Sequence, residues 1–143
     1  MARVLLVGGG RRALALTEQL VSDGHAVRAT TRDPARAEAI RAAGAEPFVG
    51  DPDRIATLMG ALTGVTVLAW LMGTACGDPE QVFALHDTRL RMLWEKLVDT
   101  GVRGVVHEGP YEELSRTASD TWQIPLAFAG DDPRGAVNGL LGV

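Results

Sequence analysis

Short apolar runs alternate with helix-forming segments along the chain, and this alternation restricts the fold more than any other feature of the sequence. Arg3 to Val7 is a β-branched and aliphatic run that ends at Gly8-Gly9-Gly10. From Arg11 to Asp23 the apolar residues Ala13, Leu16, Leu20 and Val21 recur at helical spacing, and Gly24 stands where a helix C-cap belongs. Ala26 to Thr30 reads as a second strand. Asp33-Pro34 then supplies an N-cap with proline at the first helical position, opening a helix to Ala43 that Gly44 ends. Glu46 to Val49 is a third strand, and Asp51-Pro52 opens a helix toward Leu62. Val65 to Leu71 is continuously apolar, as a strand buried on both faces of a parallel sheet must be. Asp78-Pro79 opens a long helix reaching Asp99, Val102 to His107 is a fifth strand, and Tyr111 to Ser119 a short helix. Ile124 to Ala129 is a sixth strand, and Asp132-Pro133 starts a closing helix through Leu140. Such alternation implies right-handed crossovers and an α/β, doubly wound parallel sheet of about six strands. The expected order is 3-2-1-4-5-6, with helices on both faces.

A chain of 143 residues, 46% hydrophobic and 22% charged, suits one domain spanning 1–143 with a real core and no separate substrate domain. The longest apolar stretch, Val65 to Met72, is too short to cross a bilayer, and Val4 to Val7 is too short for a signal-peptide core. The single cysteine, Cys76, rules out an intrachain disulfide, reads as a loop thiol, and with three histidines offers little for a metal site. A cytoplasmic protein without a metal is the expectation. The net charge of −4 argues against bulk nucleic-acid binding. Its distribution is uneven: residues 1–41 hold seven arginines and four acids, the remainder seven basic and fourteen acidic side chains. A basic N-terminal segment in an acidic chain points to an anionic ligand there.

Gly8-Gly9-Gly10-Arg11-Arg12-Ala13 satisfies G-x-G-x-x-[G/A] between the first expected strand and the first expected helix, the context that gives this pattern meaning. Gly8 allows the tight turn, Gly10 lets backbone approach a pyrophosphate, and Ala13 lets the helix pack on the strand. The helix N-terminus offers free amides and partial positive charge to phosphates.

With Gly24-His25-x-Val27, Thr31-Arg32-Asp33-Pro34, Gly44-Ala45-Glu46 and Val49-Gly50-Asp51, the chain resembles the first half of NmrA-like and other atypical or extended short-chain dehydrogenase/reductase proteins. The resemblance covers residues 1 to about 73 and thins afterwards. It implies a Rossmann fold and NAD(P) binding, with Asp51 near the adenine and Leu71-Met72-Gly73 beside the cofactor ribose. The glycine turn departs from that family's usual G-x-x-G-x-x-G.

Reductases of this superfamily commonly use a tyrosine with a lysine four residues later, the lysine lowering the tyrosine pKa for proton exchange. Here the only tyrosine, Tyr111, is followed at that distance by Ser115, and the only lysine, Lys96, lies before it. Weak catalytic candidates remain at the end of the fifth strand: His107 as a proton shuttle, Glu108 orienting it, Tyr111 as a donor to a carbonyl. The alternative reading, which the absence of any known spacing rule favours, makes His107 a hydrogen-bonded strand residue and Glu108 an ordinary exposed acid. His25 reads as structural, and His86 as core-edge or interface.

The place where NAD-specific domains carry a ribose-binding acid falls on Thr31, followed by Arg32. A hydroxyl beside a guanidinium favours a 2′-phosphate, so NADP is expected over NAD, unless Asp33 turns inward. Arg11 and Arg12 in the first helical turn oppose the helix dipole, a conflict that a bound phosphate would relieve. On the long helix, Val82, Leu90, Leu93 and Leu97 can face the sheet, whereas Phe83, Met92 and Trp94 fall off that stripe and imply a homodimer through this helix. Three readings stay open for a substrate that the sequence does not identify: an NADP-preferring oxidoreductase without the Tyr-x-x-x-Lys relay, a non-catalytic redox sensor, and a degenerate Rossmann domain with a structural role.

Overall fold

The computed structural model describes residues 3–73 and 78–143; Cys76 lies outside the described residues. Six parallel strands form one sheet: β1 (Arg3–Gly8), β2 (Ala26–Thr31), β3 (Glu46–Val49), β4 (Val67–Leu71), β5 (Gly104–Glu108) and β6 (Leu126–Phe128). Their order is β3-β2-β1-β4-β5-β6, as the alternation requires. The reversal of direction between β1 and β4 is the topological switch point of the sheet. Register matters for the site, because Gly8 pairs with Leu71 and Leu71 with Glu108, so the ends of β1, β4 and β5 are level.

The side-chain alternation of β1 shows how two layers arise from one strand. Val4 and Leu6 join a core under α1 (Gly10–Ser22), α2 (Ala37–Ala42) and α6 (Pro133–Leu141), with Leu16, Leu20, Ile40 and Val137. Leu5 and Val7 face the other way, into a core with Trp70, Leu90, Leu93 and Trp94. That second core lies under α4 (Thr88–Leu97), α5 (Glu112–Trp122) and a 3-10 helix over Ile55–Leu62. β4, buried along its length, likewise feeds both layers.

Three helices depart from expectation. The segment after Asp51-Pro52 is 3-10 and starts only at Ile55, because the Asp51 carboxylate accepts the Asp53 N–H at 2.9 Å and Thr57 Oγ1 folds back onto the Asp51 backbone. The helix after Asp33 opens with a 3-10 turn, Pro34–Arg36, before α2 begins. The long helix breaks at Asp87, whose φ of −122° and ψ of −84° separate α3 (Pro79–His86) from α4. Within α4, Trp94 stands four residues after Leu90 and three before Leu97, on the same face, and is buried at 1% exposure, correcting its placement on an outer face. Phe83 and Met92 remain exposed there.

Two polar clusters lock the layers. Arg28, buried on β2, gives hydrogen bonds to Glu46 at 3.0 Å, Ala61 O at 2.6 Å and Thr63 O at 2.9 Å, so a paired cation ties the edge strand β3 to the 3-10 helix. At the far end of α1, Asp23 accepts from Arg134 at 2.8 and 2.5 Å and from Asn138 at 3.0 Å, while His25 bonds Asn138 at 2.8 Å. The Arg134 guanidinium, with Asn138, holds the Asp23 carboxyl well below the usual carboxylate range. The structural role expected of His25 follows from this cluster. Among the described residues no helix is long and apolar enough to cross a membrane.

Candidate functional site

The carboxyl ends of β1 and β2 open into a cleft of about 480 Å³ whose walls include Gly8, Gly10, Thr31, Arg32, Asp51 and Met72. All three glycines of the turn have positive φ, at +81°, +86° and +53°. They differ in their surroundings. A Cβ on Gly8 would strike the Met72 sulfur and come within 2.9 Å of the Leu71 carbonyl, so Gly8 is required by packing. A Cβ on Gly10 would meet nothing within 4 Å, so it would stand in open space at the helix start. α1 begins there with no side-chain cap and no acid in its first turn, so no side chain of its own covers the helix start. Ala13 is buried against the sheet and also lines the cleft.

Toward β2 and β3 the cleft is polar. Thr31 Oγ1 accepts the Asp33 N–H at 3.1 Å, and the Asp33 carboxylate accepts the Ala35 N–H at 3.0 Å. Asp33 Oδ1 therefore caps its own helix start, and the residue also lines the cleft. Arg32 and Arg36 both line this part of the cleft, and Asp51, Pro52 and Asp53 lie opposite. Arg36 is a residue that the motif reading missed. Its signal was the Asp-Pro cap, which winds a tight turn and brings the side chain four residues after Arg32 back to the same wall. Gly9 was likewise missed, although it packs between Leu71 and Ala13.

Of the residues expected beside the cofactor, Leu71 and Met72 line the cleft, and Gly73 lies just past its rim. Arg11 is exposed on the first turn of α1 and is not part of the cleft wall. Arg12 reaches over the end of β4 to Glu108, with bonds of 2.5 Å (Nη1 to Oε2) and 2.7 Å (Nη2 to Oε1). Glu108 Oε1 also accepts the Gly73 N–H at 3.1 Å. The Arg12 guanidinium holds the Glu108 carboxyl below its ordinary range, and the carboxylate raises the arginine in turn.

His107, Glu108 and Tyr111 do not converge into a proton relay. His107 is buried at 1% exposure; its Nε2 lies 2.9 Å from Gly109 O and 3.1 Å from Pro110 O. Two carbonyl acceptors require the proton on Nε2, so Nδ1 accepts from Ser115 Oγ at 2.8 Å, and Ser115 accepts from Trp94 Nε1 at 3.1 Å. Trp94 Nε1, Ser115 Oγ and both ring nitrogens of His107 thus all have partners inside the protein. Glu108 is engaged by Arg12, so it orients nothing on His107. Tyr111 caps α5 in a left-handed conformation, φ 63°, half-exposed and edge-on to Phe83 at 5.6 Å between ring centroids. His86, expected at an edge or interface, is buried; burial pushes its imidazole below its ordinary value, and its Nδ1 has no hydrogen-bond partner among the described residues. Lys96 stands exposed in the last turn of α4, on a different element from Tyr111.

Comparison with known proteins agrees with this geometry. A family model described as NAD(P)H-binding matches residues 8–110. Comparison with curated protein sequences gives no match. Among solved structures, the triphenylmethane reductase of Citrobacter sp. superposes with a TM-score of 0.65 at 21% identity over 88% of this chain and 47% of that one. It has also been solved as a complex with NADP(H). A short-chain dehydrogenase/reductase superfamily protein from Agrobacterium tumefaciens with bound NAD gives 0.57 at 25% identity, covering 73% of this chain and 31% of the other. A UDP-glucuronic acid 4-epimerase from Bacillus cereus, in complex with NAD, gives 0.66 at 13% identity, covering 88% and 55%. The chain thus spans about half the length of the Citrobacter reductase. The family match and the strand order agree: the chain belongs to the NAD(P)H-binding family and has a Rossmann-like α/β fold.

Proposed function

We propose that the protein binds NADP in preference to NAD and serves oxidoreductase chemistry without a Tyr-x-x-x-Lys relay. The observation that carries the preference is the wall of the cleft at the end of β2. Thr31, Arg32 and Arg36 line it, and Asp33, the nearest acid, is committed to capping Ala35. A 2′-phosphate would meet two guanidinium groups, while the Asp33 carboxylate on the same wall has its Oδ1 engaged by the Ala35 N–H. The leading amides of α1 would take the pyrophosphate, and Asp51 would lie toward the adenine. The bound dinucleotide would supply the hydride or its acceptor.

Calorimetric titration tests the preference. NADPH should bind at least about tenfold more tightly than NADH, and Arg32→Ala should cost NADPH about ten- to a hundredfold while leaving NADH nearly unchanged, the range for charge-assisted hydrogen bonds. Equal affinities in the native protein defeat the assignment.

The redox-sensor reading draws support from one observation: the acid-base candidates at the end of β5 are engaged by protein partners. NADPH consumption on a panel of carbonyl and quinone substrates separates the two, since a sensor consumes none. We further infer a homodimer across the outer side of α4 and α5, where a groove of about 560 Å³ is lined by Arg91, Glu95, Tyr111 and Trp122. Phe83 and Met92 stand exposed on the same helical run. A monomer mass by light scattering at micromolar concentration overturns the dimer.

A further inference from the structure

Among the described residues, the charged side chains that line the cleft are Arg32, Arg36, Asp33, Asp51 and Asp53. Acids outnumber cations there, an adverse balance for a site proposed to seat a 2′-phosphate. Backbone amides occupy one oxygen of Asp33 and one of Asp51: Asp33 Oδ1 takes the Ala35 N–H at 3.0 Å, and Asp51 Oδ1 the Asp53 N–H at 2.9 Å. Asp53 is held differently. Its Oδ1 accepts from Arg89 Nε at 3.2 Å, with each side chain 33% exposed. Arg89 stands in the first turn of α4, outside the residues that line the cleft, whereas Leu85 of α3 is one of them. The helix dipole opposes a cation in that turn, and no acid of the turn itself compensates it. The compensating carboxylate comes from the cleft loop, 36 positions earlier in the chain.

We propose that Arg89 is a specificity-determining residue of the dinucleotide site, acting through Asp53: it holds and neutralises a carboxylate that would otherwise compete with the 2′-phosphate for Arg32 and Arg36. The inference rests on the NADP reading above and deepens it. Arg89 is a positioning residue here, since its one acidic partner stands between it and the cleft. The backbone of the loop is fixed without it. Thr57 Oγ1 takes the Asp51 N–H at 2.8 Å, and the Asp51 carbonyl takes the Arg54 N–H at 2.8 Å. Loss of Arg89 therefore leaves the loop in place and changes the charge balance at one side chain. A carboxylate freed there acts in two ways. It repels a phosphate across the cleft, because a space of about 480 Å³ is on the order of one Debye length across, about 8 Å at physiological salt. It also offers Arg32 and Arg36 an acceptor within the protein, since the planar fork of an arginine matches carboxylate and phosphate alike. NAD carries an uncharged hydroxyl where NADP carries the phosphate, so the two cofactors respond differently to the loss.

The test is a thermodynamic cycle on wild type, Arg89→Met, Asp53→Asn and the double variant, each titrated calorimetrically with NADPH and with NADH. Methionine keeps much of the aliphatic stem of arginine and removes its charge. Arg89→Met should weaken NADPH by about three- to tenfold, the worth of a partly exposed charge, and leave NADH within about twofold. Asp53→Asn should restore NADPH on the Arg89→Met background and change it by no more than about twofold on the wild-type background, where the acid is already neutralised. Arg89→Lys, which keeps the charge, should hold NADPH within about twofold of wild type. Equal losses of NADPH and NADH in Arg89→Met overturn the proposal, because a loosened loop would weaken both cofactors alike. So does an NADPH affinity unchanged in Arg89→Met, a loss that persists in the double variant, or a loss in Arg89→Lys as large as in Arg89→Met. Each of these outcomes leaves the NADP reading standing. Equal affinities of wild type for NADPH and NADH, or failure of every chain to bind either, overturn that reading and this inference with it.

Discussion

Replacing Gly10 by valine is expected to lower NADPH affinity by about a hundredfold or more, equivalent to roughly 2.7 kcal/mol, while the far-UV circular dichroism stays close to that of the wild type. Two effects combine. Gly10 has φ +53°, where a β-branched residue is a genuine outlier, so the turn must shift or carry strain. Its Cβ would also project into open space at the start of α1, where no protein atom lies within 4 Å, and so would block the approach of a phosphate to the leading amides. The fold survives because nothing packs against that position. Gly8 is the contrasting control: a side chain there collides with Leu71 and Met72, so Gly8→Val should damage the sheet itself. Isothermal titration of Gly10→Val with NADPH decides the matter, and retained affinity removes the glycine turn from the binding site.

Trp94→Ala is expected to cost about 3–5 kcal/mol, a large part of the roughly 5–15 kcal/mol that holds a domain of this size together. The side chain is fully enclosed in the core beneath α4, beside Trp70, Leu90 and Leu97. Truncation opens a cavity and also removes the donor to Ser115, whose hydroxyl in turn serves His107. Trp94→Phe keeps most of the volume and loses the N–H, so it isolates the polar contribution at about 1 kcal/mol. At about 2–4 °C per kcal/mol, the alanine variant should melt on the order of 10 °C below the phenylalanine variant. Equal melting temperatures for the two would mean that the hydrogen-bonded chain from Trp94 to His107, and not the packing, holds this corner.

The order of the strands was legible because each is a short apolar run with its own stop signal. Gly8, Gly24 and Gly44 close elements, and aspartate-proline pairs open the next ones. Helix type was not legible. Asp51-Pro52 looks like any other start, yet the Asp51 carboxylate spends itself on Asp53 and delays the helix to Ile55. The inward face of Trp94 was legible, since it stands four residues after Leu90 and three before Leu97, and its placement off that stripe is corrected on that ground. Within the site, the glycine turn, Thr31, Arg32, Asp51 and Met72 were visible as a motif and as strand ends. The bond between Arg12 and Glu108 was not. Both residues had been singled out, but their meeting depends on the level register of β1, β4 and β5, with 96 positions between them.

The cluster of Asp23, His25, Arg134 and Asn138 has a bearing on the order in which the protein is made. Asp23 lies more than a hundred residues from Arg134 and Asn138, so its carboxylate gains these partners only once α6 exists. Val137 of α6 completes the same apolar layer as Leu16 and Leu20 of α1. During synthesis, α1 and α2 emerge in time to cover β1, β2 and β3, whereas the same face of β4 and β5 waits for the last helix to complete its cover.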